Sequence, residues 1–191
     1  MVKIGLTGKA RSGKDTVANY LVQEYYMVRF AFADQLRKEF HSIYPHIPEK
    51  PKPVKGYQLF GQLQRYVYGE DYWVNQCFDH IKKIKRIAEG YGTFAENSEL
   101  EFMPVISDIR QPNEFETCKD RGYLIIRVNS HENNRIERMK QEGDNFSEDV
   151  LKFSTESHVD KFVVDYELYN NGSLQHLYDQ IDAIMTELRV K

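Results

Sequence analysis

Cysteine is scarce in this chain: Cys77 and Cys118 are the only two among 191 residues. That is too few for a disulfide scaffold, and they lack the clustered spacing of a structural metal site. Both are expected to be reduced. Long apolar runs are missing too. No segment approaches the roughly 18 residues that a membrane-spanning helix needs. The first apolar run is broken by Lys3 and Gly5, so it lacks the h-region of a secretion signal. Neither sign of charge dominates, with 26 Lys plus Arg against 29 Asp plus Glu and a formal net charge of −3. Attraction to phosphates drives non-specific binding to polynucleotides and anionic bilayers, so a mildly acidic chain binds them poorly. The expectation is a cytoplasmic protein whose partners are neither nucleic acid nor membrane.

What is present is ordinary globular material, 41% apolar and 29% charged. At this length one domain can bury about 70% of its unfolded surface without help from a metal. No internal repeat is visible. Val2–Thr7 reads as a strand, followed by a glycine-bounded turn from Gly8 to Gly13. Val17, Ala18, Leu21, Val22 and Tyr25 then fall at helical spacing. Further strands are expected at Val28–Phe32, Met103–Ser107, Tyr123–Val128 and Phe162–Val164. Helices are expected at Pro112–Arg121 and along the stripe Leu174, Leu177, Tyr178, Ile181, Ile184, Met185 and Leu188, behind a Ser173 cap. Strand and helix in alternation predict a three-layer α/β/α fold with a five-stranded parallel sheet.

Two insertions interrupt the alternation. Residues 33–101 are far longer than one crossover requires. They carry helical patterns at Phe60, Leu63 and Val67 and from Val74 to Ala88, with a loop around Pro45–Pro53. Lys82, Lys83, Lys85 and Arg86 lie opposite the apolar stripe and read as a solvated face. Residues 131–159 are polar and carry both charges.

The turn after the first strand spells G-x-x-x-x-G-K from Gly8 to Lys14. Glycines let successive backbone N–H groups curl around a phosphate, the following helix adds its positive N-terminus, and Lys14 reaches the β- and γ-phosphates of a nucleotide. Ser12 and Gly13 belong to the same cradle. Asp15 stands where a P-loop normally has Ser or Thr; a carboxylate is also a hard ligand for Mg²⁺, directly or through water. Thr16 can donate to an α-phosphate. Asp108 falls at the end of the third strand, where ligands of open α/β sheets collect. It reads either as a magnesium-organising carboxylate or as a cap before Pro112. Arg110 reads either as a fork for an acceptor phosphate or as a partner of Glu114. His131, His158 and His176 fit no metal pattern.

The order of motifs along the whole chain resembles the bacteriophage-type deoxynucleoside monophosphate kinases. The P-loop GKARSGKDT is similar to that family's R-S-G-K-D-T variant. Phe32–Leu36 resembles its F-A-D-x-L, and Leu63-Gln64-Arg65 with Gly69 and Trp73-Val74 resembles its L-Q-x-x-G…W-V. Val105–Glu114 resembles its V-I-S-D-x-R-x-P-N-E. Ser154-Thr155-Glu156 and Asn170–Leu174 resemble its S-x-E and N-x-G-S-L positions.

The resemblance implies one P-loop kinase domain, with a core of 1–32, 102–130 and 160–191, an acceptor-binding insertion at 33–101 and a lid at 131–159. It implies ATP and Mg²⁺ as cofactors, a deoxynucleoside 5′-monophosphate as acceptor and its diphosphate as product. Asp34, Arg37, Gln64, Arg65 and Trp73, with Asp108 and Arg110, are the implied acceptor contacts; Tyr66 and Tyr68 are further stacking candidates. Asn171 and Gly172 are implied at the adenine, and Asp15 and Asp108 at the metal. Arg135 and Arg138, three apart on one helical face, and Arg11 in the P-loop are implied to neutralise the transferring phosphoryl group. An exposed helix ion-paired through Glu137 and Glu142 is the alternative for that face. Other readings are a dephospho-coenzyme A or phosphomevalonate kinase, a non-catalytic ATP-binding regulatory module and, against the charge balance, a DNA-processing ATPase. Monomer and homodimer are both open.

Overall fold

The computed structural model describes residues 1–92, 101–141 and 158–190, with residues 91 and 92 by backbone alone. Ser154, Thr155, Glu156, Glu142 and most of the expected lid lie outside the described residues. Two compact units are present, one built from Met1–Arg29 with Glu101–Lys191, the other from Phe30–Leu100.

The first unit holds β1 (Ile4–Thr7), α1 (Lys14–Tyr25), β3 (Pro104–Ile109), α5 (Pro112–Asp120), β4 (Leu124–Asn129), α6 (Glu132–Gln141), β5 (Tyr166–Tyr169) and α7 (Leu174–Glu187). Together with β2 (Val28–Phe30), at the boundary of the units, the strands form a sheet in the order β2-β3-β1-β4-β5. It is the five-stranded parallel sheet of a three-layer α/β/α fold. β1 is central and wholly buried because Ile4 and Leu6 carry apolar side chains into an interior closed on both faces. It runs parallel to β3 through Ile4↔Val105 and Gly5↔Ile106, and to β4 through Leu6↔Ile126 and Thr7↔Arg127. The glycine-rich turn therefore leaves the sheet at a central strand's C-terminal end.

α1 and α7 bury Val17, Ala18, Leu21, Leu177, Ile181 and Met185 in one core with the sheet. α7 starts where expected: Ser173 Oγ accepts from the His176 backbone N–H at 3.2 Å. At the edge of that core Tyr20 stacks on Tyr178, ring centroids 3.9 Å apart. The hydroxyls of Tyr20 (2.9 Å) and Tyr25 (2.7 Å) both donate to Asp182. Burial, and then the Asp182 carboxylate, pushes Tyr20 up to about 12 and raises Tyr25 further. A phenol whose folded pKa is raised contributes stability that is complete below its ordinary value near 10 and is lost as pH climbs through the folded value. The urea unfolding midpoint is therefore expected to decline above pH 10. Asp182→Ala is expected to cost about 1–2 kcal/mol at neutral pH and to flatten that decline. An alkaline profile unchanged in Asp182→Ala would remove the carboxylate from the account.

The fifth strand departs from expectation. The Phe162–Val164 run suggested it by β-propensity, but pairing with β4 begins at Ile126↔Tyr166. Phe162 instead stacks on Phe115, centroids 4.4 Å apart, after a short 3-10 turn at Val159–Lys161, and Val163 is exposed. Asp165 decides the register, its carboxylate accepting from the Ile125 N–H at 2.7 Å. β2 is also shorter than expected, because α2 begins at Phe32.

The second unit is helical: α2 (Phe32–Ile43), α3 (Val54–Tyr68) and α4 (Tyr72–Gly92). α2 is an addition to the sequence reading, although Phe32, Leu36 and Phe40 lie four apart. An aromatic cluster of Phe40, Phe60 and Trp73 forms its centre, with Tyr57 edge-on to Phe40 at 5.0 Å. Lys82, Lys83 and Arg86 are exposed and Lys85 is half-buried, as a solvated face should be. Among the described residues no helix is long and apolar enough to cross a membrane. Cys77 and Cys118 are buried free thiols, and burial, with Glu114 and Asp108 nearby, drives the Cys118 thiol far above its ordinary range.

Candidate active site

The cradle is assembled from the loop after β1 and the first turn of α1. Gly8 has φ +137° and Gly13 φ +108°, conformations that L side chains rarely adopt. A Cβ on Gly8 would lie 2.4 Å from the Val128 carbonyl oxygen, and one on Gly13 would lie 2.2 Å from Asn170 Nδ2. Both glycines are thus demanded twice, by dihedral and by space. Arg11 also sits in the left-handed region, at φ 58°. For a residue with a Cβ this costs about 1 kcal/mol or more and persists only where surroundings hold it.

Lys14 is buried, and its ammonium group donates to the Gly8 carbonyl at 2.7 Å and the Lys9 carbonyl at 2.9 Å. Its charge is thereby fixed at the mouth of the loop. Ser12 is also buried, and its Oγ has no hydrogen-bond partner among the described residues. A buried hydroxyl without a partner is costly, so this atom fits a ligand oxygen. Asp15 is exposed in the first turn of α1 and Thr16 half-buried beside it.

A cavity of about 280 Å³ adjoins the loop, lined by Gly8, Lys9, Ser12, the end of β4, Glu167, Tyr169 and Asn171. Its charges are matched in pairs. Lys9 meets Asp160 at 2.7 Å and Arg127 meets Glu167 at 2.7 Å. Tyr169 also donates to Glu167 at 2.7 Å, and this bond, with Arg127, holds the Glu167 carboxyl below the ordinary carboxylate range. Asn171 accepts from the His131 N–H at 2.7 Å, and Gly172 is exposed.

Arg135 and Arg138 lie on α6, but their guanidinium groups face the P-loop's main chain. Arg135 donates to the Ala10 carbonyl at 3.3 Å; Arg138 donates to the Arg11 carbonyl and to Ser130 Oγ, each at 3.1 Å. Asn170 donates from Nδ2 to the Ser12 carbonyl at 2.9 Å. Nothing in the N-N-G run distinguishes that amide from a turn former.

Asp108 is half-buried within β3, one residue before its end, and Arg110 follows the strand. Glu114 accepts from the backbone N–H groups of Arg110 (2.8 Å) and Gln111 (2.9 Å), so its carboxylate caps α5.

In the helical unit Asp34 and Arg37 form an i,i+3 pair at 3.5 Å, and Gln64 and Arg65 are half-buried on α3, with Gln64 Oε1 buried and unpartnered among the described residues. Trp73 corrects an expectation. It is 2% exposed, and its indole N–H donates to the Gly61 carbonyl at 3.1 Å, so it packs the helical core and offers no face to a base. Trp73→Phe is expected to lower stability by about 1–2 kcal/mol, since it removes this bond and part of the side chain's buried volume; an unchanged urea midpoint would contradict that role. Tyr66 is exposed, and Tyr68 stacks on Tyr72 at 5.0 Å.

A glycine-bounded cradle thus stands at the end of a central parallel strand, with a buried lysine across its mouth. Residues 3–72 match the model of the deoxynucleotide monophosphate kinase family. That stretch carries the cradle, Asp34, Arg37, Gln64 and Arg65. No curated protein sequence matches the chain. Among solved structures, shikimate kinase from Bacteroides thetaiotaomicron is similar at 13% identity, covering 98% of each chain with a TM-score of 0.55. Shikimate kinase from Acinetobacter baumannii, in complex with shikimate, has 14% identity over 100% of this chain and 95% of its own, TM-score 0.54. A sugar kinase from a Janibacter species has 12% identity over 100% and 95%, TM-score 0.54. The chain has the fold of the small-molecule P-loop kinases.

Proposed function

We propose that this protein transfers the γ-phosphoryl group of MgATP to a deoxynucleoside 5′-monophosphate. The observation that carries the reading is the Gly8–Lys14 cradle, whose buried Lys14 and Ser12 Oγ, unpartnered among the described residues, suit a polyphosphate, within a stretch that matches the deoxynucleotide monophosphate kinase family. Lys14 and the loop amides hold the donor. An oxygen of the acceptor phosphate attacks the γ-phosphorus in line, the bond from γ-phosphorus to the bridging oxygen breaks, and ADP leaves with that oxygen. The acceptor is already ionised at pH 7, so no general base is needed. Mg²⁺, carried in by the nucleotide, would be held by Asp15 and Asp108 together with phosphate oxygens and would neutralise charge between them. Asp34, Arg37, Gln64, Arg65 and Arg110 are assigned to the acceptor, Asn171 and Gly172 to the adenine, and Arg11 to the transferring group.

A coupled ADP-release assay with MgATP tests the reading across deoxy- and ribonucleoside monophosphates, dephospho-coenzyme A and shikimate. Turnover on one or more deoxynucleotides is expected. Turnover confined to another acceptor would reassign the substrate, and ATP binding without turnover on any of them would favour a regulatory nucleotide-binding module.

A further inference from the structure

Three consecutive carbonyls of the P-loop are held from outside by three side chains. Ala10 O accepts from Arg135, Arg11 O from Arg138 and Ser12 O from Asn170, at 3.3, 3.1 and 2.9 Å. In a planar trans peptide the carbonyl and the next residue's N–H point in opposite directions. Drawing these oxygens outward therefore turns the N–H groups of Arg11, Ser12 and Gly13 the other way. The Ser12 N–H is used within the loop, donating to Lys9 O at 3.2 Å. The Gly13 N–H is turned away from Asn170, to the side where a cradle offers its amides to an anion.

Asn170 is itself over-determined. Its backbone N–H donates to Asn129 O at 2.8 Å, and its carbonyl accepts from Ser130 Oγ at 3.0 Å and from Arg138 at 3.1 Å. Arg138 also donates to Asn170 Oδ1 at 3.3 Å. A guanidinium can only donate, so the Asn170 amide must turn its oxygen to Arg138 and its Nδ2 to Ser12 O. The absence of a Cβ at Gly13 follows from the same contact, since Nδ2 occupies that space.

We infer that Asn170 is a positioning residue for polyphosphate binding: its side-chain amide locks the Ser12–Gly13 peptide so that the Gly13 N–H faces the anion. Arg138 acts one step behind it, orienting the amide and holding Arg11 in its left-handed conformation. The inference rests on the cradle reading above and deepens it. It assigns α6 a task at the back of the loop, distinct from contact with the transferring group.

Inorganic tripolyphosphate and MgADP are the probes, titrated by calorimetry into wild type, Asn170→Ala and Asn170→Asp. The aspartate substitution retains the Arg138 contact but turns an acceptor toward Ser12 O, whereas the alanine substitution removes both side-chain bonds. Both variants are expected to bind tripolyphosphate and MgADP about tenfold more weakly. Loss in Asn170→Asp alone would indicate simple charge repulsion and overturn the inference. Weaker MgADP with unchanged tripolyphosphate would do the same, placing the residue's effect at the base. Should the variants fail to fold, the Gly13 amide resonance of wild type carries the test: it is expected to shift on adding tripolyphosphate, and an unmoved resonance overturns the assignment. A wild type that binds neither probe overturns the cradle reading itself, whereas tight wild-type binding with unaffected variants overturns only the role of Asn170.

Discussion

Lys14→Ala is expected to reduce phosphoryl transfer by about 10²–10³-fold, the scale seen when one preorganised donor to developing charge is removed. The ammonium group is held to Gly8 O and Lys9 O by two charge-assisted bonds, so its position does not have to be found anew in each turnover. Truncation removes the buried positive charge and leaves those carbonyls to other partners. Lys14→Arg is not expected to restore the rate, because a planar fork cannot replace a compact point charge in a buried slot. The ADP-release assay reads both variants, with MgADP affinity measured alongside to separate binding from transfer. A Lys14→Ala enzyme within about threefold of wild type would refute the role given to this residue.

Gly8→Ala should be the most damaging single change to the fold of the loop. The new methyl would lie 2.4 Å from Val128 O, a backbone atom of β4, and 3.0 Å from Ser12 Oγ, at a φ of +137°. β4 cannot recede, since it is paired on both sides, to β1 through Leu6↔Ile126 and Thr7↔Arg127 and to β5 through Val128↔Leu168. At Gly13 the nearest neighbour is the Asn170 side-chain amide, whereas here the closest clash is with a backbone atom of a strand paired on both sides. The expected loss is about 3 kcal/mol or more. For a chain of this size that corresponds to a fall in Tm of about 6–12 °C. A Tm within about 2 °C of wild type would show that the loop adopts another conformation.

Much of the architecture could be read along the chain because its signals are local. Ile4 and Leu6 are apolar on successive inward positions, the stripe from Leu174 to Met185 keeps helical spacing behind a real Ser173 cap, and Gly8-x4-Gly13-Lys14 requires no distant residue to be recognised. β5 departs from its local signal for the complementary reason. Phe162-Val163-Val164 has the stronger strand propensity, but an edge strand forms where its neighbour offers a register, and the Asp165 bond to Ile125 sets that register 40 residues away.

The site divides along the same line. The cradle and its lysine are legible along the chain, because glycines and a helix start that curl around a phosphate are contiguous. Their surroundings come from segments far apart in the chain. Trp73 belongs to the helical core because Gly61 O lies where its indole N–H can reach it. Arg135 and Arg138 face main-chain carbonyls at the back of the loop, and Asn170, 158 residues from Ser12, supplies the amide that completes the row. A hydrogen bond acts over about 3 Å whatever the separation in sequence, so the partner of each polar side chain was settled by the packing that brought distant segments together.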